Sequence, residues 1–161
     1  MSIPEQHLDE GLKLTADAEV ELFTIKLVSS PVIFHFKNNN TVTWQGTVYE
    51  GLPCSMSGDM RSASEEEGRP SLRVVNPEGI FNKPAIDGML DRAIVTRKTV
   101  LFQHIESNTN VFRQRMWYVE RVKELVSGQM LGLELRSMTD LPGFQIPVRI
   151  FMPPEFPTVS L

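Results

Sequence analysis

The side chains that could carry out acid–base, nucleophilic or metal chemistry are few and scattered in this sequence. None of the three histidines, His7, His35 and His104, belongs to a histidine or carboxylate pair of zinc-binding type. Cys54, the single cysteine, has no histidine near it in sequence to activate it, so a small apolar filler is the favoured interpretation. We therefore predict no catalytic residue, no metal ligand and no bound cofactor, with His35 and His104 lying on strand faces.

Acidic residues are concentrated in one polar stretch. Asp59 and the run Glu65–Glu67 could suggest calcium, but they lack the alternating Asp/Asn pattern of an EF-hand loop, so a solvated loop is favoured. Phosphate-binding glycine motifs and a nucleophile elbow are also missing from the sequence. These absences predict that the chain is not an enzyme.

Basic residues form a local group at Arg92, Arg97, Lys98, Arg113 and Arg115. The chain as a whole has a formal net charge of -4, whereas nucleic-acid-binding proteins usually carry a basic surplus. We therefore expect no sequence-specific binding of nucleic acid. The basic group is expected to pair with acidic residues of its own chain or of a partner surface, which makes Arg97 and Lys98 interface candidates.

Aromatic side chains offer a second kind of binding. Trp44, Tyr49 and Trp117 could stack a sugar or a base if they are exposed. In a strand, Trp117 and Tyr118 point to opposite faces, so one is expected in the core and the other at an interface. Trp117 is therefore a further interface candidate.

Short strands must position these residues. A helix is predicted near the N-terminus, after the capping box Ser2–Glu5, and a period of two begins at Val20. Phe23, Ile25 and Leu27 form one predicted face, and Val32, Phe34 and Phe36 form the next. Across Gln45-Gly46, Thr41–Trp44 is expected to pair with Thr47–Glu50 as a tight hairpin. The predicted strands and turns of this part are completed by the turn 38–40, the strand at Leu72 and Val74, and a short helix or irregular turn between Glu78 and Leu90.

The second half of the chain predicts an antiparallel meander of three strands. These strands comprise Ile94–Ile105 with a bend at Arg97-Lys98, Val111–Val122, and Met130–Met138 with Leu131, Leu133 and Leu135 on one face. The predicted fold class is mainly β (α+β), an antiparallel barrel or sandwich-like domain with a short N-terminal helix, a small central helix and an extended C-terminal arm. The domain spans residues 1–141, with residues 55–69 as a mobile loop.

Residues 142–161 form the predicted arm. Five of the 11 prolines lie between Pro142 and Pro157, and proline favours extended chain. The interface candidates in the arm are Phe144, Ile150, Phe151 and Phe156. Such an apolar segment either packs on its own domain or docks on a neighbouring subunit.

The order of these pieces resembles the N-terminal part of the lambda-type phage minor tail protein L family. The resemblance is carried by Val42–Gly46, Arg69–Leu72, Val74–Asn76 with Gly79, Val95–Lys98, and the segment from Met130 to Met152. Members of that family continue into a cysteine-bearing part that holds an iron–sulfur cluster. This chain has only Cys54, so four thiolate ligands cannot come from it.

The resemblance implies a structural, non-catalytic protein of a siphophage tail tip or baseplate. The expected partners are the central hub protein and the distal tail protein, in a three-fold assembly around the tail lumen. The expected location is the virion, after assembly in the host cytoplasm, and no segment approaches the ~20 apolar residues that span a membrane. The alternative is a carbohydrate- or receptor-binding module of the virion, based on Trp44, Tyr49 and Trp117.

Overall fold

The computed structural model describes residues 18–58 and 69–138, and these residues fold mainly into β-strands. Nine strands belong to one sheet, in the hydrogen-bonding order β3-β4-β2-β1-β7-β8-β9-β6-β5. The strands are β1 (Glu19–Lys26), β2 (Ile33–Lys37), β3 (Val42–Trp44), β4 (Thr47–Gly51), β5 (Cys54–Ser57), β6 (Ser71–Val75), β7 (Ile94–Leu101), β8 (Arg113–Val126) and β9 (Met130–Ser137). Within these described residues, no helix is long and apolar enough to cross a membrane.

The sheet is mixed and open in hydrogen-bonding order. Strands β2 and β4 pair in parallel, while the other neighbours pair in antiparallel. The order ends at β3 on one side and at β5 on the other. The mainly β class is therefore confirmed, but neither the closed barrel nor the sandwich is, because the nine described strands form one sheet whose hydrogen-bonding order is open.

Although the ladder is open, the sheet is rolled. Strand β4 lies next to one end of the order and β5 at the other, yet only Leu52 and Pro53 separate them. The Leu52 amide donates to the Lys37 carbonyl at 2.9 Å, and the Val75 amide donates to the Pro53 carbonyl at 2.9 Å. Because two linking residues span only about 10 Å, the two ends of the sheet must lie close together.

The main core fills one face of the rolled sheet. Phe23, Ile25 and Leu27 of the predicted first face are at most 2% exposed, which confirms that prediction. The third strand of the meander behaves in the same way. Its apolar face, Leu131, Leu133 and Leu135, is completely buried. A long run of alternating apolar residues thus contributes one strand face to the core.

The connection from β6 to β7 covers this core. It contains a 3-10 turn at Pro77–Gly79 and the short helix α1 (Asn82–Ile86), within the stretch where a short helix or irregular turn was expected. Buried Asn76 fixes its start, since its Oδ1 accepts from the Phe81 amide at 3.1 Å and its Nδ2 donates to Asn82 Oδ1 at 2.8 Å. Three side chains of this connection are fully buried in the core, namely Phe81, Leu90 and Ala93.

A smaller apolar cluster occupies the opposite face of β1 and β7. We call it the outer cluster, and its buried residues are Leu22, Trp44, Tyr49, Val100 and Ile105. The predicted hairpin β3–β4 is confirmed, with Gln45 and Gly46 at positive φ, and it supplies Trp44 and Tyr49. The hairpin is held against the turn that precedes β8, because Trp44 Nε1 donates to the Thr109 carbonyl at 3.2 Å.

Three local predictions are wrong. Strand β7 runs through Arg97-Lys98 without a break and ends at Leu101, after which Phe102–Glu106 forms helix α2 rather than strand. His104 therefore lies in a helix. The helix is closed by Ser107, whose Oγ donates to the Gln103 carbonyl at 2.8 Å, a local interaction that alternation alone does not reveal.

Two other boundaries also move. Val32 precedes β2 and is 45% exposed, so it does not face the core with Phe34 and Phe36. Ser55–Ser57, assigned to the mobile loop, are paired with β6 as part of β5. Residues 59–68 of that loop, the N-terminal helix and the C-terminal arm lie outside the described residues. Their mobility and structure stay predictions.

Candidate functional site

The predicted basic group is divided between the two faces of the sheet. Arg97 lies on the core side, where its guanidinium is 5.4 Å from the Trp117 ring and 3.3 Å from the Glu21 carboxylate. Arg113 pairs with Glu19 at 3.4 Å. The expectation that these cations pair with acidic residues of their own chain is confirmed for Arg97 and Arg113.

Lys98 points to the opposite face from Arg97. Its Nζ lies 4.7 Å from the centroid of the Phe112 ring and 5.5 Å from that of Trp44, so the ammonium group is held against two aromatic faces. The negative faces of the two rings attract the ammonium group and stabilise it where it is partly removed from water. Arg97 and Lys98 therefore do not form one basic surface, and the role of either in an interface stays a prediction.

The three aromatic candidates for stacking a sugar or base are buried. Trp44 is 1% exposed, Tyr49 2% and Trp117 6%, so the premise that these rings are presented to a ligand is wrong. Tyr118 is also buried, at 7%, and both faces of β8 are therefore covered at this point. The sequence could not distinguish these cases because burial of a strand's second face depends on elements distant in the chain.

The titratable groups near the outer cluster, His35 and Tyr49, contribute to packing. Thr24 Oγ1 and His35 Nδ1 are 3.1 Å apart, and the His35 ring meets the Tyr49 ring edge-on with centroids 5.4 Å apart. Burial lowers the pKa of His35, and the nearby Lys98 charge lowers it further. Burial raises the pKa of Tyr49. Both groups are thereby kept neutral at pH 7, as a packed cluster requires.

Cys54 is equally unsuited to nucleophilic chemistry. Burial, assisted by the negative charge of Glu21, raises the pKa of its thiol to about 11. The thiolate form needed for attack or for metal binding is therefore scarce at neutral pH. In residues 18–58 and 69–138 no three His, Cys, Asp or Glu side chains come together as a metal site.

An ionic network on the outer surface of β8 and β9 was not identified from the sequence. Arg121 Nε donates to Glu134, and Arg69 Nη1 lies 3.4 Å from the other oxygen of the same carboxylate. A second carboxylate, Glu120, forms an ion pair with Arg136, whose Nη2 lies 2.7 Å from Glu120 Oε1. The sequence placed Glu134 and Arg136 on the face opposite the leucines, but their partners belong to other strands and were not predictable from spacing.

The clearest exposed apolar surface lies at the tip of the β1–β2 hairpin. We call Val28, Val32 and Ile33 the hairpin-tip patch; their exposed fractions are 67%, 45% and 44%. The Leu27 amide donates to the Val32 carbonyl at 3.4 Å, so Val28 and Val32 belong to one tight turn, and Ile33 begins β2 directly after it. Exposed apolar side chains near one turn make the hairpin tip a candidate contact surface.

The remaining interface candidates, Phe144, Ile150, Phe151 and Phe156, lie outside the described residues. Among the candidates that it describes, the structure brings Arg97 and Trp117 together on the core side and places Lys98 on the opposite face. It also offers the hairpin-tip patch and the ionic network as surfaces of opposite character.

Comparison with known proteins gives the family. The model of the phage minor tail protein L family matches residues 26–155, which include all strands from β2 to β9 and continue past the last described residue. No curated protein matches the chain. The matched range covers most of the sequence and agrees with the resemblance in the Trp44 hairpin and in the segment from Met130 onwards. The chain therefore belongs to the phage minor tail protein L family and is a structural component of the phage tail.

Proposed function

We propose that this protein is a component of a siphophage tail tip that associates with the central hub protein and links it to the distal tail ring around the lumen. The observation that carries the proposal is the family match over residues 26–155. A three-fold assembly is part of the proposal, since a ring around a central channel is built from symmetric copies. The lack of an exposed aromatic platform among Trp44, Tyr49 and Trp117 removes the motivation for a sugar-binding role.

Two surfaces of the subunit fit such an assembly. The hairpin-tip patch offers apolar area to the centre of an interface, and the arginine-rich network on β8 and β9 suits a polar rim facing an acidic partner. The arm, residues 142–161, carries further apolar residues for a partner surface. These features support an assembly role because protein interfaces combine an apolar centre with a polar surround.

Quantitative mass spectrometry of purified phage particles tests the proposal directly. We expect the protein in the particle at a low copy number divisible by three, with chemical cross-links to the hub protein and the distal tail protein. Absence from mature particles would overturn the tail-tip role. A high copy number typical of a tube protein would overturn the assignment to the tip.

Two variants test the surfaces. Val28→Asp places a charge in the hairpin-tip patch and is expected to lower incorporation into particles several-fold while the melting temperature changes little, because Val28 is exposed. The matched control is Val48→Asp, since Val48 is 53% exposed on the separate β3–β4 hairpin. Equal incorporation of both variants would exclude the patch from the interface.

Removal of residues 142–161 is expected to prevent incorporation into particles. Normal incorporation of the truncated protein would exclude the arm from the interface.

A further inference from the structure

Strand β5 forms one outer edge of the sheet within the described residues, and it covers its part of the core incompletely. Across the β5–β6 ladder, Cys54 lies opposite Val74 and Met56 opposite Leu72. Val74 and Leu72 are 1% and 0% exposed, whereas Cys54 and Met56 pack against the same core but are only partly buried. An edge strand with unpaired backbone groups and partly covered core residues is a template for one more strand.

The chain leaves the described region close to that edge. Strand β9 ends at Ser137, and in the two ladders Glu134 lies opposite Ser71, which lies opposite Ser57. With neighbouring strands about 4.8 Å apart, a strand added beyond β5 lies roughly 15 Å from β9. About six extended residues cover this distance, so a segment beginning near residue 145 reaches the edge.

The sequence at that position has the pattern of an edge strand. Ile146, Val148 and Ile150 alternate with Pro147, Arg149 and Phe151, and β-branched residues at a period of two favour a strand with one buried face. Proline cannot donate to a ladder and is tolerated in sheets at edge strands. The family match continues to residue 155, so this segment belongs to the matched domain.

We propose that residues 145–151 pair with β5 of the same chain as a tenth strand. Ile146, Val148 and Ile150 then cover Cys54 and Met56, and Arg149 and Phe151 face outwards. The same chain is the occupant because the short connection from β9 gives the segment a high effective concentration at this edge. This pairing assigns residues 145–151 of the arm to the sheet of their own chain, so the partner contact proposed above falls to the rest of the arm.

Cysteine trapping in the full-length chain tests the pairing. In a Cys54→Ala background, Ser55→Cys on the outer face of β5 is combined in turn with Pro147→Cys, Arg149→Cys and Phe151→Cys. Under mild oxidation we expect an intrachain disulfide in at least one combination, identified by peptide mass spectrometry. The matched control is Thr43→Cys, exposed on the opposite edge strand β3, with the same three arm cysteines; it is expected to form none.

The possible outcomes distinguish pairing within one chain from pairing with a neighbouring chain. An intrachain disulfide that depends on Ser55→Cys supports the proposal. Disulfides formed only between chains would overturn it in favour of an arm supplied by a neighbouring copy. Equal trapping with Thr43→Cys, or no disulfide in any combination, would overturn it as well.

Amide hydrogen exchange is a second, independent test of the pairing with β5. Val148→Pro removes a backbone donor from the middle of the proposed strand, and it is expected to speed amide exchange in peptides covering Cys54–Ser57 by about tenfold. The matched control Val159→Pro changes the same residue type outside the proposed strand and is expected to leave that exchange unchanged. Identical exchange in the two variants would contradict the pairing.

Discussion

Glu134 is held by two arginines, Arg121 and Arg69, on the outer surface of the sheet. The hydrogen bond from Arg121 lowers the pKa of its carboxyl group, and the Arg69 hydrogen bond and charge lower it further, against the opposing effect of burial. A carboxyl group whose folded-state pKa is lowered contributes stability above its ordinary pKa. That contribution disappears as the pH falls through the folded-state value.

The first prediction is therefore a pH-dependent effect of Glu134→Gln. At pH 7 the variant is expected to melt at a lower temperature than the parent, and the difference should shrink as the pH falls below about 4.5, the ordinary value for glutamate. Melting followed by circular dichroism between pH 3 and pH 7 measures this. Glu124→Gln on the neighbouring strand β8, at an exposed position, is the control. A gap that stays constant over the whole range would contradict the assigned role.

At the scale of the elements, two positions in the β3–β4 region require glycine for different reasons. Gly46 has a φ of +73° in the hairpin turn, with no atom within 4 Å of an added Cβ. Gly51 ends β4 beside the turn 38–40, and a Cβ there would overlap the backbone carbonyl oxygen of Asn39. The first position requires a backbone conformation, whereas the second requires empty space between two segments of backbone.

The second prediction compares alanine at these positions. Gly46→Ala is expected to lower the free energy of unfolding by about 1 kcal/mol, the usual cost of placing an alanine at positive φ. Gly51→Ala is expected to cost clearly more, because the backbone of the turn or of β4 must move and the parallel β2–β4 pairing loosens. Urea denaturation of both variants measures the difference. An equal or smaller loss for Gly51→Ala would show that the turn adapts without strain.

Local signals explain which elements could be predicted. The Gln45-Gly46 turn and the alternating leucines of β9 depend on neighbours within a few residues, and both appear in the structure as expected. Helix α2 was missed because five residues are too few for alternation to separate helix from strand. The parallel pairing of β2 with β4 and the Arg121–Glu134 bond join residues 13 or more positions apart, so no local pattern contained them.

At the scale of the whole molecule, the two apolar clusters share their strands. Leu22 belongs to the outer cluster and its neighbour Phe23 to the main core, and β7 contributes Val100 to the first and Val95 to the second. Loss of either cluster therefore removes the packing from one face of β1 and β7, and the other cluster depends on the same two strands. We expect the described sheet to unfold as one cooperative unit.

The third prediction uses the two tryptophans as reporters of opposite faces. Trp117→Phe leaves Trp44 to report on the outer cluster, and Trp44→Phe leaves Trp117 to report on the main core. Within each variant, the fluorescence and circular dichroism transitions in urea are expected to have the same midpoint. A Trp44 transition at lower urea than the loss of secondary structure would show that the outer cluster opens separately.

The position of β6 between β5 and β9 has a consequence for synthesis of the chain. One edge of β6 can pair as soon as Ser71–Val75 is made, because β5 precedes it, but the other edge waits for Met130–Ser137. At roughly 5–20 residues per second, the ribosome needs on the order of three to eleven seconds to add the intervening residues. During this time the nascent chain carries an unpaired strand edge. Slower growth at low temperature lengthens the interval, whereas a chaperone that shields strand edges would act on this intermediate.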